Sequence, residues 1–73
     1  MEEKILEICK SVDDSIDYSS KALVDEGLLD SITLVGIISE FTDRFDVYIP
    51  YEEIIPKNFN SIKSMAGLVE RYA

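Results

Sequence analysis

Gly27-Leu28-Leu29-Asp30-Ser31-Ile32-Thr33-Leu34-Val35-Gly36-Ile37-Ile38-Ser39-Glu40-Phe41-Thr42-Asp43-Arg44-Phe45 is the stretch that decides the fold. Leu34, Ile37, Ile38, Phe41 and Phe45 recur at spacings of three and four, the period of one helix face. The stripe predicts a helix over Ser31–Phe45. Asp30 is placed as its N-cap, with a carboxylate that accepts from an early backbone N–H. Ser31 then stands at the helix tip, just behind a glycine and an acid. On the opposite face, Ile32, Val35, Gly36 and Ser39 make a shallow, uncharged surface beside Ser31. Two readings stay open here. In one, Asp30 or Ser31 is only a cap, and Ile32 or Val35 tucks under the preceding loop. In the other, Ser31 is an attachment point and the face docks partners.

Upstream, Met1, Ile5, Ile8, Cys9 and Val12 share a face and predict a helix over Glu2–Val12. Glu2 and Glu3 in its first turn suit the helix dipole. Between the helices, Asp13, Asp14, Ser15, Asp17, Ser19 and Ser20 are turn formers. A connection of this length needs apolar anchors in a compact domain. Ile16, Tyr18, Leu23, Val24, Leu28 and Leu29 supply them, with a short helical turn around Lys21 to Glu26 ended by Gly27. Downstream, Pro50 opens a short helix expected over Tyr51–Ile55, and Pro56 is expected to stop it. Ile49, Ile54, Ile55 and Phe59 are core candidates. Ser61 is placed as N-cap of a last helix, Ile62–Tyr72, with a stripe of Ile62, Met65, Ala66, Val69 and Tyr72. No segment alternates with strand period. The expectation is an all-α domain over residues 1–73: a small four-helix bundle of three longer helices and one short third helix.

Composition excludes several classes. At 73 residues there is room for one small core. One cysteine rules out a disulfide framework, and Cys9 lies mid-stripe with no histidine or basic cluster to activate it. No histidine is present, so the usual general base for a nucleophilic serine is missing. The aspartates of the first loop lack the alternating spacing and turn glycine of a calcium loop, which argues against an EF-hand-like protein. No metal site is expected. No apolar run reaches the roughly 20 residues of a membrane span, and the acidic start is unlike a signal peptide. A cytoplasmic, monomeric protein is the expectation. The net charge is −8, with nine acids to three bases over residues 1–30 and six to four over residues 31–73. That balance opposes binding to nucleic acid or anionic membranes and suits basic protein surfaces. Solvated acidic faces that keep the chain soluble explain it equally well. What remains for Ser31 is the role of acceptor in another enzyme's reaction. A phosphodiester on its oxygen would face the free N–H groups and positive end of the helix.

The segment Asp30-Ser31-Ile32-x-x-Val35 resembles the D-S-L-x-x-V signature of the acyl carrier protein family. Phe45-Asp46-Val47-Tyr48-Ile49-Pro50 is similar to the family's exit from that helix, and Phe59-Asn60-Ser61-Ile62 to the start of its last helix. The likeness covers nearly the whole chain in order and spacing. It implies a non-catalytic carrier whose Ser31 receives 4'-phosphopantetheine from coenzyme A through a phosphopantetheinyl transferase. The arm would hold an acyl or aminoacyl group as a thioester, in lipid or secondary-metabolite biosynthesis. Asp30, Ile32, Val35, Gly36 and Ser39 would meet the transferase and the cargo-loading and acyl-transfer enzymes. Two departures bear on the pathway. Thr33 and Gly36 stand where fatty-acid carriers usually bear acids, and Gly27 lies one residue further from the serine than in those carriers. Gly27-x-Leu29-Asp30-Ser31 is more similar to D-alanyl carriers, which act in D-alanylation of cell-wall polymers, and to stand-alone aminoacyl carriers. Pro56-Lys57-Asn58-Phe59 lacks the aromatic-rich pattern expected of a D-alanyl carrier. An unmodified helical interaction module is the alternative outside this family.

Overall fold

The computed structural model describes residues 1–73 and contains α1 (Glu2–Val12), α2 (Ser31–Phe45), a 3₁₀ turn (Tyr51–Glu53), α3 (Pro56–Phe59) and α4 (Ile62–Tyr72). There are no strands. The three longer helices have the bounds that periodicity and capping predict.

The three longer helices share one core. Ile5, Ile8 and Cys9 of α1 meet Ile37 and Phe41 of α2 and Met65, Ala66, Leu68 and Val69 of α4 in one core. α1 packs against both α2 and α4, and α3 packs against α4. The position of α4 between α1 and α3 explains a difference from its expected stripe. A helix covered on two sides buries more than one narrow row, so Leu68 is fully buried beside Met65 and Val69. Tyr72, expected in that stripe, is exposed, as is Met1 at the far end of α1. Cys9 Sγ lies 3.8 Å from Met65 Sδ. Burial pushes the Cys9 thiol up to about 12, so it stays protonated and inert at neutral pH.

The long first connection is held by buried Tyr18, Leu23 and Leu29, with Ile16 and Val24 partly covered. The Tyr18 hydroxyl reaches two carbonyls at the end of α1, Cys9 O at 2.9 Å and Asp13 O at 2.5 Å. Cys9 O also accepts from Asp13 N–H at 3.0 Å, so the Tyr18 hydroxyl ties the loop to a helix end that is already closed. α2 ends on Asp46 in the left-handed region (φ 54°), a conformation Asp adopts more readily than most residues. The chain then runs extended, with Val47 and Ile49 buried.

The region of the two prolines corrects the expectation. Tyr51–Glu53 is a 3₁₀ turn, not the start of one helix reaching Ile55, and Pro56 does not stop a helix but opens α3. The physical reason is that proline lacks only the N–H that a first helical residue leaves unpaired, and its fixed φ is already helical. Asn58 Nδ2 bridges the break, donating to Glu53 O at 2.7 Å and to Glu53 Oε1 at 3.1 Å. Phe59 is fully buried and Ile54 partly so, while Ile55 faces solvent.

Candidate functional site

The site is built from a turn and a helix end. Over Ala22 to Leu29 the backbone closes on itself. Glu26 N–H donates to Ala22 O (2.8 Å), Gly27 N–H to Val24 O (3.0 Å), and Leu28 N–H to Leu23 O (2.9 Å). The last two bonds, with Gly27 at φ +76°, form the hydrogen-bonded ending that helices use when a glycine turns left-handed. The single turn expected before Gly27 is therefore present, although too short to count as a helix. Leu29 drops into the core and fixes the exit of the turn. Asp30 follows in extended conformation and caps α2 through Oδ1, which accepts from Thr33 N–H at 2.7 Å. The bond from the Thr33 backbone N–H, then that from its hydroxyl, holds the Asp30 carboxyl below its ordinary range. It is a charged cap at neutral pH.

Because Asp30 takes the cap, Ser31 is the first residue of the helix proper. Its side chain is exposed, and its hydroxyl forms no hydrogen bond within the chain. The N–H groups of Ser31 and Ile32 have no backbone acceptor, as at any helix start. A negative group on Ser31 Oγ would sit at the positive end of a 15-residue dipole. These features fit a serine-linked phosphodiester.

The face beside Ser31 is apolar and open. Ile32 is 85% exposed and Val35 63%, so neither tucks under the preceding loop. Ser39 is also exposed. Gly36 has a different role from its neighbours: a Cβ built there would lie 3.1 Å from Val12 Cγ1 of α1. Gly36 lets two helices approach, and the open face narrows to Ile32, Val35 and Ser39. Charge along α2 is sparse. Arg44 Nε pairs with Glu40 Oε1 at 2.9 Å, one turn apart near the far end. A cleft of about 630 Å³ lies elsewhere, along α1 between Leu6, Ile16, Tyr18 and Ile62, and includes no residue of α2.

One contributor was not legible as such in the sequence. Asn60, between α3 and α4, grips the turn that precedes Ser31. Its carbonyl accepts from Leu23 N–H at 2.9 Å. Its Oδ1 accepts from Val24 N–H at 2.9 Å and Asp25 N–H at 3.1 Å. Its Nδ2 donates to Asp25 Oδ2 at 3.1 Å.

Comparison with known proteins gives this geometry a family. The family model for the phosphopantetheine attachment site matches residues 2–69. The chain belongs to the phosphopantetheine-binding carrier proteins. The D-alanyl carrier protein of Listeria monocytogenes serotype 4a (strain HCC23) is 35% identical over 54 residues, which are 70% of this chain and 69% of that protein. No solved structure gave a significant match. Carrier proteins of this family are generally non-catalytic and bear 4'-phosphopantetheine on a serine. The all-helical fold agrees with that membership. No helix of this carrier is long and apolar enough to cross a membrane.

Proposed function

We propose that Ser31 carries the 4'-phosphopantetheine arm and that the protein shuttles an acyl or aminoacyl thioester between enzymes. The observation that supports this most directly is the division of labour at the start of α2. Asp30 caps the helix, so the Ser31 hydroxyl stays exposed and unbonded at the positive helix end. A phosphopantetheinyl transferase would attach the arm from coenzyme A. The bound arm supplies a thiol for thioester chemistry. The chain supplies an attachment oxygen, a positive helix end for the phosphodiester, and a recognition face. Asp30, Ile32, Val35 and Ser39 form that face, with Gly36 beneath it setting the distance from α1. The carrier works as a single domain over residues 1–73, as a cytoplasmic monomer. It meets its partners briefly, steered by its net charge of −8.

The test is intact mass after incubation with coenzyme A and a broad-specificity phosphopantetheinyl transferase. One phosphopantetheine unit is expected on the wild type and none on Ser31→Ala. An unmodified wild type in the presence of active transferase would favour the reading of a helical interaction module.

D-alanine is the more specific reading of the cargo. It rests on the Listeria relative and on the Gly27-x-Leu29-Asp30-Ser31 spacing. Incubating the modified protein with a D-alanine-activating ligase and ATP should then give a D-alanyl thioester, formed faster than the L-alanyl one. Equal rates would remove the preference for this cargo.

A further inference from the structure

We propose that Asn60 is a positioning residue for Ser31, holding the Leu23–Asp25 turn in the shape that presents the serine to the transferase. The inference rests on Ser31 being the attachment residue.

Residues 13–30 join α1 to α2 without regular structure, and a connection of that length is mobile unless tied down. Every hydrogen bond that leaves residues 20–29 for another element ends on Asn60. The remaining bonds stay within the connection, such as Ser20 N–H to Asp17 O at 3.3 Å and Ser20 Oγ to Glu26 Oε1 at 2.8 Å. The turn is therefore rigid within itself, and Asn60 is its polar tie to the bundle.

The amide suits the task. Its one oxygen accepts from two successive backbone N–H groups, and its nitrogen donates to the Asp25 carboxylate. Asn60 also closes α3 and directly precedes the cap of α4, so its backbone is held from both sides. From the gripped residues the chain reaches Ser31 through the hydrogen-bonded Gly27 ending and buried Leu29. Loosening the grip leaves the Ser31 hydroxyl chemically intact but lowers the fraction of molecules that present it correctly. An apparent binding constant weakens by that fraction, while the step after binding is unchanged.

The test uses the full chain, coenzyme A and a broad-specificity phosphopantetheinyl transferase, well below the melting temperature of every variant. Asn60→Ala should raise the KM for the carrier about tenfold at nearly constant kcat. Amide hydrogen exchange over residues 23–29 should accelerate in the same variant. Ser61→Ala loses a helix cap at the next residue and should leave both readouts at wild-type values. Asn60→Asp keeps the acceptor but sets a second carboxylate against Asp25, and should raise KM as well. Combining Asn60→Asp with Asp25→Asn reverses donor and acceptor and should restore KM to within about twofold. A role in global stability alone predicts a wild-type KM in every variant under these folded conditions. A wild-type KM in Asn60→Ala overturns the positioning role. If that variant does not fold, a folded Asn60→Asp that keeps wild-type KM, or a folded paired exchange that fails to restore it, does the same. A wild type that takes no arm on Ser31 overturns the attachment reading itself, a result distinct from either.

Discussion

Two helices of this protein start on the same dipeptide, Ser-Ile, and use it in opposite ways. At α4, Ser61 is the cap: its Oγ accepts from Ser64 N–H at 3.0 Å and donates to Ser64 Oγ at 2.9 Å. Ile62 behind it is packed against the core. At α2, Asp30 is the cap and Ser31 sits one position later, with a free hydroxyl and Ile32 in solvent. One residue of register separates a serine whose hydroxyl is spent on a cap from the serine proposed to carry the arm. A serine at a helix start keeps its hydroxyl free when another side chain takes the capping bond.

The largest expected effect tests that comparison directly. Ser31→Ala should abolish addition of phosphopantetheine, whereas Ser61→Ala should be modified to completion, both read by intact mass. If Ser61 proves to be the modified residue, the comparison is inverted.

The two isoleucines give the next largest contrast. Ile32→Asp should slow cargo loading of the modified protein about tenfold, because it sets a charge on an apolar contact residue beside the attachment serine, and losses above about 1 kcal/mol concentrate at such central positions. Its melting should barely move. Ile62→Ala should do the reverse, losing about 1–2 kcal/mol of stability through a partly buried cavity while loading stays at the wild-type rate. Loading kinetics and thermal melts on the same samples decide it, and equal loading defects would break the contrast.

Stability of the two serine variants differs by less. Ser61→Ala should cost about 1 kcal/mol as a lost cap. Ser31→Ala should stay within about 0.5 kcal/mol of wild type, since its hydroxyl holds nothing. Denaturant midpoints suffice, and a large loss in Ser31→Ala would make Ser31 the structural cap.

The smallest effect is acid sensitivity confined to one helix start. The folded state holds the Asp30 carboxyl below its ordinary value, so the folded chain binds fewer protons there than the unfolded one. Its contribution is present above the unfolded pKa and is lost as pH falls through the lowered one. The Ser61 cap carries no titrating group. Below pH 4, the Thr33 amide should therefore gain exchange relative to its intrinsic rate, and the Ser64 amide should gain less. Equal responses would mean that acid loosens the whole bundle at once.

Most of this comparison was legible in the chain itself. The bounds of α1, α2 and α4 follow from apolar spacing, and both caps follow from Asp30 and Ser61 standing just before those stripes. Ser31 followed from its place after Asp30. The helix expected over Tyr51–Ile55, with Pro56 as its stop, is instead a 3₁₀ turn followed by α3, because a proline within a helical pattern looks the same whether it ends one helix or begins another. The contact of Gly36 with α1 is not legible, because a small residue carries no sign of which neighbour needs its smallness.

By itself the sequence determined what depends on neighbours within about four positions: helix periods, caps, the left-handed Gly27 and the exposed serine. Hydrogen bonds within a turn, and side chains one turn apart, are local geometry that any fold inherits. The tertiary structure alone decided what is distant along the chain. It set Gly36 against Val12 and packed α4 against both α1 and α3. It also brought Asn60 to Val24 and Asp25, across 36 and 35 residues. Such meetings depend on the path of the whole chain, and an asparagine before a helix cap carries no local sign of which distant backbone it will hold.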